Sequence, residues 1–299
     1  MMKRIKGQIK KTKLYKSIRN LMYQIQKRKV GIVDIFPTEL GIQPNYRLNG
    51  HKVIVSLTSF PARIPYLHKT LYSLLSQSIK PTAVYLWLAE NQFPNKEHDL
   101  PKDILDLIPF GIEIRWTERD IRSYKKLIPT LRSEPDAIIV TADDDLYYHK
   151  KWLEYLIESY AEFPDYVHST TITRIKKENN SYIITPREGL IGTASFCNKL
   201  LGGSGCLYPP DCFESEVLNE ENFMRLAPTS DDLWFWIMAV KARKKIRWIP
   251  KGLDTFYYVE NTQESTPRLC DTNDHGEKLF FCHLENLIKE YDLDDILLE

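Results

Sequence analysis

The sequence predicts an α/β fold with a mixed, mainly parallel sheet flanked by helices, and two observations support this prediction. From Lys52 onward, apolar segments of strand length alternate with segments of helical period, which is the order that builds parallel sheets. Residues 137–140 form an apolar stretch without polar alternation, as expected for a strand buried on both faces. Three aspartates follow this strand at once, at the end where open α/β sheets bind their ligands.

The two periods predict the elements in chain order. The expected strands are residues 53–57, 83–88, 112–116, 137–140, 168–174, 182–185 and 245–250. The expected helices are residues 65–77, 100–107, 124–131, 152–163, a helix capped by Thr229 or Ser230, and residues 280–290. The first half contains neither Gly-x-Gly-x-x-Gly nor Gly-x-x-x-x-Gly-Lys, which disfavours a dehydrogenase and a P-loop enzyme.

Composition restricts the function classes further. The chain has 299 residues, of which 43% are hydrophobic, so it can bury a sizeable core. A net charge of only +1 argues against a nucleic-acid partner. The five cysteines form no Cys-x-x-Cys pair, which argues against a disulfide framework or a zinc knuckle and indicates a reducing, cytoplasmic location. No membrane span and no signal peptide are expected.

The first 50 residues differ in character from the rest. Residues 1–33 contain no acidic side chain, and in residues 1–29 apolar positions at helical intervals alternate with Lys and Arg. A basic amphipathic helix of this kind can lie on an anionic membrane surface, where each cation contributes about 1 kcal/mol. A solvated basic tail and a helix docked on a partner are the alternatives. Residues 30–50 have Pro and Gly breakers and are interpreted as a linker.

The three consecutive aspartates Asp143, Asp144 and Asp145 carry the first chemical signal. Like charges this close resist ionisation unless a cation compensates them. Mg²⁺ and Mn²⁺ prefer oxygen ligands and are usually held by one or two carboxylates together with substrate phosphates. A divalent-metal and nucleotide site is therefore predicted here. A polar turn, or an N-cap for a helix that begins near Lys150, is the bland alternative.

Residues 140–148, Val-Thr-Ala-Asp-Asp-Asp-Leu-Tyr-Tyr, resemble the Asp-x-Asp region of nucleotide-sugar glycosyltransferases with the Rossmann-like GT-A fold. Within these they are similar to bacterial family 2 transferases of polysaccharide and lipopolysaccharide synthesis. The resemblance covers roughly residues 52–250 and implies that Asp143 and Asp145 bind the metal, with Asp144 close to the nucleotide sugar. It also divides the domain at 51–299 into a nucleotide-sugar half (51–150), an acceptor half (151–260) and a tail (261–299).

The loop after the first strand carries the same resemblance. Residues 56–63, Ser-Leu-Thr-Ser-Phe-Pro-Ala-Arg, are similar to the loop on which GT-A enzymes seat the nucleotide. The resemblance implies that Thr58 and Ser59 lie near the base or ribose. Arg63 could reach a phosphate, which suits a planar cation with several donors, or could form a surface salt bridge.

A second nucleotide segment follows the third strand, in residues 118–126. In similar transferases an Asp at this place contacts the base and a Lys contacts the base or pyrophosphate, which implies these roles for Asp120 and Lys125. Lys125 is preferred over Lys126, because Lys126 could be a solvated helix residue.

The glycine-rich segment at 201–210 resembles the acceptor-side loop of the same family. The implied acceptor-binding residues are Gly203, Ser204 and Gly205, where clustered glycines let the backbone approach a ligand. A flexible hairpin is the alternative interpretation.

Asp231 and Asp232 carry the second chemical signal. In a first helical turn they are stabilised by the helix dipole, which is sufficient reason for their presence. In inverting GT-A enzymes a paired-acid motif here supplies the general base that deprotonates the acceptor hydroxyl. The resemblance implies that Asp232 is this base and Asp231 its acceptor-binding partner, although Asp replaces the usual Glu. A C-terminal histidine is a further metal ligand in many such enzymes; His275 is the candidate and His283 the alternative.

These observations together predict a glycosyltransferase that uses Mn²⁺ or Mg²⁺ and moves a hexosyl or N-acetylhexosaminyl group with inversion. The expected donor is a nucleotide sugar, with UDP as the nucleotide, and the expected acceptor is a glycan or lipid-linked glycan at the inner face of the cell membrane. Two alternatives are a nucleotidyltransferase or phosphotransferase, and a non-catalytic glycan-binding protein on the membrane surface.

Overall fold

The strands and helices alternate in the computed structural model much as the sequence predicts. The structure describes residues 21, 22, 25, 31–179, 181–265 and 279–298. The strands are β1 Val53–Thr58, β2 Ala83–Ala89, β3 Ile112–Thr117, β4 Ile138–Ala142, β5 Leu146–Tyr148, β6 Val167–Ser169, β7 Ile172–Glu178, β8 Ser181–Thr185, β9 Ala194–Ser195, β10 Asn198–Leu200, β11 Cys206–Tyr208, β12 Ile246–Trp248 and β13 Phe256–Tyr258. The helices are α1 Ile64–Leu75, α2 Lys102–Leu105, α3 Ile128–Ser133, α4 Trp152–Glu162, α5 Gly202–Gly205, α6 Glu220–Leu226, α7 Asp231–Lys241, α8 Thr262–Ser265 and α9 Leu279–Tyr291. Short 3₁₀ segments span Lys96–Asp99, Ile108–Phe110, Arg122–Lys126, Ser215–Leu218, Gly252–Asp254 and Ile296–Leu298.

A mixed eight-stranded sheet runs through the protein in the order β3-β2-β1-β4-β11-β6-β12-β9. The first four strands are all parallel, with Val55 opposite Val84 on one side of β1 and opposite Val140 on the other. Strand β11 then pairs antiparallel with both β4 and β6, and β12 pairs parallel with β6. The carboxyl ends of β1, β3 and β4 therefore share one edge of the sheet, because parallel strands end on the same side.

The sheet is buried on both faces. Alternate side chains of β1 and β4 enter two different cores, since Val55 and Val140 pack with α1 and α4 while Ile54 and Ile139 pack on the opposite side. Helices α7 and α9 cover that opposite side. This double burial explains why the first, second and fourth strands are apolar without alternation.

Two smaller sheets adjoin the large one. Strands β10, β7 and β8 form an antiparallel sheet, and β5 pairs with β13. The β5–β13 pair is not predicted from the sequence, because each strand has only three residues. It holds the segment after the acidic turn (Asp143, Asp144 and Asp145, between β4 and β5) against the segment that leads to α8.

The predicted helix at 124–131 is wrong in one respect, because the structure divides it. A 3₁₀ segment at Arg122–Lys126 ends before α3, whose first turn contains Pro129. Proline lacks an N–H and favours a first helical turn, so it starts a new helix here.

Two predictions fall largely outside the described residues. Of the basic N-terminal segment, Leu21, Met22 and Ile25 are described, and they are helical and exposed. His275 lies in the undescribed range 266–278. Within the described ranges, no helix combines the length and apolar character that crossing a bilayer requires.

Candidate active site

The acidic turn lies at the carboxyl edge of the parallel strands, and each of its carboxylates has a basic partner. Asp143 Oδ1 lies 2.7 Å from Lys126 Nζ. Asp144 is buried and accepts a 2.5 Å hydrogen bond from Ser59 Oγ, while Thr70 Oγ1 donates to its backbone carbonyl. Asp143 and Asp144 thus have different partners, although they are neighbours on one tight turn.

Arg63 binds two of these carboxylates at once. Its Nη1 lies 2.6 Å from Asp145 Oδ2 and 3.3 Å from Asp144 Oδ1. The side chain is only 6% exposed, so this is not the surface salt bridge that the sequence left open. Gln263, in α8, donates a further 2.7 Å hydrogen bond to Asp145 Oδ2. Burial lowers the pKa of Arg63, but the charges of Asp144 and Asp145 outweigh burial and raise it.

Lys126 contacts both groups of carboxylates in the site, the acidic turn and the pair Asp231 and Asp232. Besides Asp143, its Nζ contacts Asp231 Oδ2 at 3.1 Å, and the side chain is 5% exposed. The expectation that Lys126 is a solvated helix residue is therefore wrong. The 3₁₀ geometry of its segment turns it into the site beside Lys125. Burial lowers the pKa of Lys126, while the surrounding aspartates raise it well above its usual value.

Lys125 and Asp120, the predicted base-binding pair, are bonded to each other at the end of β3. Lys125 Nζ donates to Asp120 Oδ1, and Gln92 Nε2 donates to Asp120 Oδ2 at 2.8 Å. Burial lowers the pKa of Lys125, and Asp120 opposes this shift. Thr58, at the end of β1, donates to the carbonyl of Trp87 in the neighbouring strand at 2.8 Å.

The glycine-rich segment is a buried helical turn rather than an open hairpin. Helix α5 lies between β10 and β11, directly beside the acidic turn. A Cβ on Gly203 would lie 1.7 Å from Asp143 Oδ2, so glycine is required for this approach. Tyr148 links both segments, because its hydroxyl accepts from Asp143 N–H (2.8 Å) and donates to the Gly203 carbonyl (2.5 Å).

The other two residues of this segment that were predicted to bind the acceptor are also packed into the protein. Ser204 Oγ contacts Thr170 Oγ1 at 2.9 Å, and the Ser204 carbonyl accepts from Trp152 Nε1 at 2.9 Å. Gly205 has φ +124°, a conformation that favours glycine, and a Cβ there would meet the Trp152 ring. The segment supports the acidic turn in this conformation.

Asp231 and Asp232 occupy the first turn of α7, as predicted. Ser230 is the N-cap residue, but its hydroxyl lies 3.1 Å from His283 Nδ1 and makes no side-chain cap bond. Asp231 is buried, with Oδ1 bonded by Ser123 Oγ at 2.7 Å and Oδ2 facing Lys126. His283, the alternative metal ligand, therefore lies against the start of α7.

The second acid of this pair differs from the first in its environment. Asp232 is only partly buried, and its Oδ1 accepts from Gly202 N–H at 2.9 Å. Burial raises the pKa of Asp232 to about 6, helped by the charge of Asp231 and opposed by Lys126. Its carboxylate is thus a stronger base than that of an ordinary aspartate, and it adjoins the glycine-rich segment.

The donor set of the acidic turn suits a divalent cation chemically, since carboxylate oxygens are the ligands that Mg²⁺ and Mn²⁺ prefer. In the described part of the chain, however, no group of three His, Cys, Asp or Glu side chains is arranged to hold a metal ion. Arg63 and Lys126 engage the carboxylates instead.

Comparison with solved structures places the fold. The S. aureus TarS fragment 1–349 in complex with UDP-GlcNAc matches with a TM-score of 0.50 and 15% identity over 81% of this chain and 67% of that chain. The same fragment with UDP has a TM-score of 0.47, with 15% identity over 81% of this chain and 66% of its own. The mannosyltransferase PcManGT from Pyrobaculum calidifontis, in complex with GDP-Man and Mn²⁺, has a TM-score of 0.43, with 14% identity over 77% of this chain and 64% of that chain.

These likenesses concern the fold. No protein-family model and no curated protein sequence matches the chain. The predicted α/β fold with a mainly parallel sheet flanked by helices is confirmed, and it is the arrangement of GT-A glycosyltransferases. The chain spans about two thirds of the length of the TarS fragment.

Sequence reasoning missed four residues that build the site: Lys126, Tyr148, Trp152 and Gln263. A polar partner for each buried carboxylate is expected on physical grounds, which could have directed attention to Lys126. Tyr148 and Trp152 follow the acidic turn in the sequence, but aromatic residues at these positions are explained equally well as core side chains. Gln263 carries no sequence signal, because only the β5–β13 pairing brings its segment to the turn.

Proposed function

We propose that this protein transfers a sugar from a nucleotide-sugar donor to a hydroxyl group of a glycan or lipid-linked acceptor. The observation that carries the proposal is the meeting of the acidic turn with Asp231 and Asp232 at the ligand edge of the sheet. Lys126 contacts Asp143 from one group and Asp231 from the other. A pyrophosphate site and a general base are thus adjacent, as the transfer requires.

The donor side rests on the loop after β1 and the segment after β3. Arg63, Lys125 and Lys126 are cations near the acidic turn that can meet a diphosphate, and Arg63 offers the planar fork that suits phosphate oxygens. The nucleoside belongs beside Thr58, Ser59 and Asp120. UDP is the nucleotide that we propose.

The divalent metal would be held by Asp143 and Asp145, with His275 as the further ligand predicted from the sequence. A divalent cation held there would supply Lewis-acid stabilisation of the departing nucleoside diphosphate. Lys126 lies within the same cluster and adds a fixed positive charge from the protein.

On the acceptor side, Asp232 is the proposed general base. It is partly exposed and its pKa is raised to about 6, whereas Ser123 and Lys126 hold both oxygens of Asp231. Asp232 takes the proton of the acceptor hydroxyl as that oxygen attacks the anomeric carbon. Attack from the face opposite the leaving diphosphate inverts the anomeric centre.

The biological setting is also part of the proposal. A basic N-terminal segment suits an enzyme that works at the cytoplasmic face of a membrane on a lipid-linked glycan, as in the synthesis of cell-surface polysaccharide or lipopolysaccharide. The sugar is of the hexosyl or N-acetylhexosaminyl type.

The test is a panel of nucleotide sugars incubated with the protein and Mn²⁺, with release of nucleoside diphosphate as the measurement. We expect metal-dependent release from one donor and its loss in Asp145→Ala and Asp232→Asn. Arg225→Gln, which removes a half-exposed cation paired with Glu290 on the surface, is the matched control and should keep the activity. No turnover with any donor, together with no nucleotide binding, would refute the proposal and favour a glycan-binding protein.

A further inference from the structure

Arg63 has an unusual set of contacts for a buried cation. Its Nη1 serves both Asp145 and Asp144, yet its Nε is buried without any hydrogen-bond acceptor among the described residues. A buried N–H donor without a partner is costly, and such groups in native proteins call for an explanation. The Nε–H group of Arg63 lies next to the acidic turn, where the phosphate oxygens of the proposed ligand would bind.

We propose that Arg63 is a built-in counter-ion that occupies the metal position of the acidic turn until metal and nucleotide displace it. The guanidinium compensates part of the negative charge of Asp144 and Asp145. When a divalent cation takes Asp145, Arg63 releases that carboxylate and turns its N–H groups, including Nε, to the diphosphate. This inference rests on the proposed nucleotide-sugar site and adds a residue that sets its metal affinity.

The geometry implies that Arg63 and a metal ion compete for Asp145 Oδ2. Nη1 lies 2.6 Å from Asp145 Oδ2, and Gln263 Nε2 lies 2.7 Å from the same oxygen. A divalent cation bound at this oxygen would lie beside the guanidinium, and the two positive charges repel each other, so Arg63 opposes metal binding there. The apparent affinity for metal is therefore reduced by the free energy of the Arg63 ion pairs.

The charge balance indicates why Arg63 alone does not complete the site. Five carboxyl groups cluster around Arg63 and Lys126, and Lys125 and Lys199 add positive charge near Asp144 and Asp232. These carboxyl groups belong to Asp143, Asp144, Asp145, Asp231 and Asp232. A diphosphate brings further negative charge to this cluster. A divalent cation together with a guanidinium freed from Asp145 balances that charge better than the guanidinium alone.

The test measures Mn²⁺ binding to the full chain by the EPR signal of free Mn²⁺, without nucleotide. We expect Arg63→Gln to bind Mn²⁺ about tenfold more tightly than the wild type, because its competitor is gone. We also expect its melting temperature to be lower without metal, since two buried carboxylates lose their partner, and to rise more on adding Mn²⁺ than that of the wild type. Arg225→Gln, on the surface, should match the wild type in both measurements.

Arg63→Lys keeps a positive charge beside the carboxylates and decides the matter if Arg63→Gln does not fold. A lysine ammonium is a compact point charge without the planar N–H groups of the guanidinium, so Mn²⁺ affinity should rise in this variant too, by less. Equal Mn²⁺ affinity in wild type and in the folded variants, or no Mn²⁺ binding by any of them, would overturn the inference.

UDP binding separates this inference from the proposed function. In the presence of saturating Mn²⁺, we expect both Arg63 variants to bind UDP more weakly than the wild type, because the phosphate loses its guanidinium. If the wild type binds neither UDP nor any other nucleoside diphosphate, the proposed function fails. If it binds UDP but Mn²⁺ affinity does not respond to Arg63, only the role of Arg63 fails.

Discussion

Lys126 shows at the scale of a single residue how charge organises the site. It is almost fully buried, and its ammonium group contacts Asp143 at 2.7 Å and Asp231 at 3.1 Å. Removing one partner of a buried ion pair leaves the other charge without compensation. The residue thus affects stability and chemistry together.

Lys126→Met keeps the length of the side chain and removes the charge. We expect the free energy of unfolding to fall by about 3–5 kcal/mol, because two carboxyl groups lose a buried partner. Lys241→Met breaks a more exposed pair with Glu214 and should cost no more than about 1 kcal/mol. Urea unfolding of both variants measures the difference. Equal losses in the two variants would show that Lys126 has no special electrostatic role.

A second prediction at this scale concerns the pH dependence of transfer. The pKa of Asp232 is raised to about 6 by burial and by Asp231, and a general base must be ionised to act. We expect kcat/KM to be constant above about pH 7 and to fall tenfold per pH unit below about pH 6. Asp232→Asn should lose nearly all activity while keeping UDP binding. In Lys126→Met the midpoint should move to higher pH, because Lys126 lowers the pKa of Asp232; an unchanged midpoint would exclude Asp232 as the titrating base.

At the scale of elements, the acidic turn depends on the helical turn α5 behind it. Gly203 permits the Asp143 carboxylate to lie against the backbone, and Tyr148 bonds the two segments together. The sequence predicted both segments as parts of the site. It did not predict that they touch, because their contact depends on antiparallel pairing of β11 with β4 across a distant part of the chain.

Gly203→Ala tests this contact. The new Cβ would lie 1.7 Å from Asp143 Oδ2, so the carboxylate has to move away from its place beside Lys126. We expect donor hydrolysis to fall at least about tenfold, because a displaced carboxylate no longer supports the diphosphate site. Melting temperature and circular dichroism report whether the fold survives. Full activity in a folded Gly203→Ala variant would contradict the assignment of Asp143 to the site.

Other elements differ in how far the sequence could predict them. Strands β1, β2 and β4 were predicted to within two residues at each end, because continuous apolar runs have one simple explanation in an α/β chain. The short strands β5, β9 and β13 have two or three residues each and no periodic signal, so their pairing follows from tertiary packing alone. Pro129 marks in the sequence itself where the helix at 124–131 divides, and the 3₁₀ segment before it places Lys126 in the site, not on a solvated helix face.

At the scale of the whole molecule, the fold brings the predicted donor and acceptor halves to one edge of the sheet. The GT-A arrangement explains why the three aspartates, the loop after β1 and the first turn of α7 meet. The predicted boundary between the halves near residue 150 runs through the middle of a continuous eight-stranded sheet, since β11, β6 and β12 extend the strands of the first half. The two halves therefore share one sheet and its two cores.

The basic segment at 1–29 leads to the last prediction, which concerns where the whole molecule works. The proposal is that its cations attract the protein to anionic lipid, each contributing about 1 kcal/mol near the surface. Four lysines of this segment are replaced by glutamine in the test variant: Lys10, Lys11, Lys13 and Lys16. Four exposed lysines of the described part of the chain are replaced in the control: Lys96, Lys102, Lys176 and Lys289.

We expect wild type and control to sediment with phosphatidylglycerol vesicles at low salt, less so as salt rises, whereas the test variant stays in the supernatant. Hydrolysis of the donor in solution should be the same in all three proteins, because the acidic turn and its partners lie outside residues 1–29. Equal sedimentation of all three proteins would show that the segment does not direct the protein to membranes.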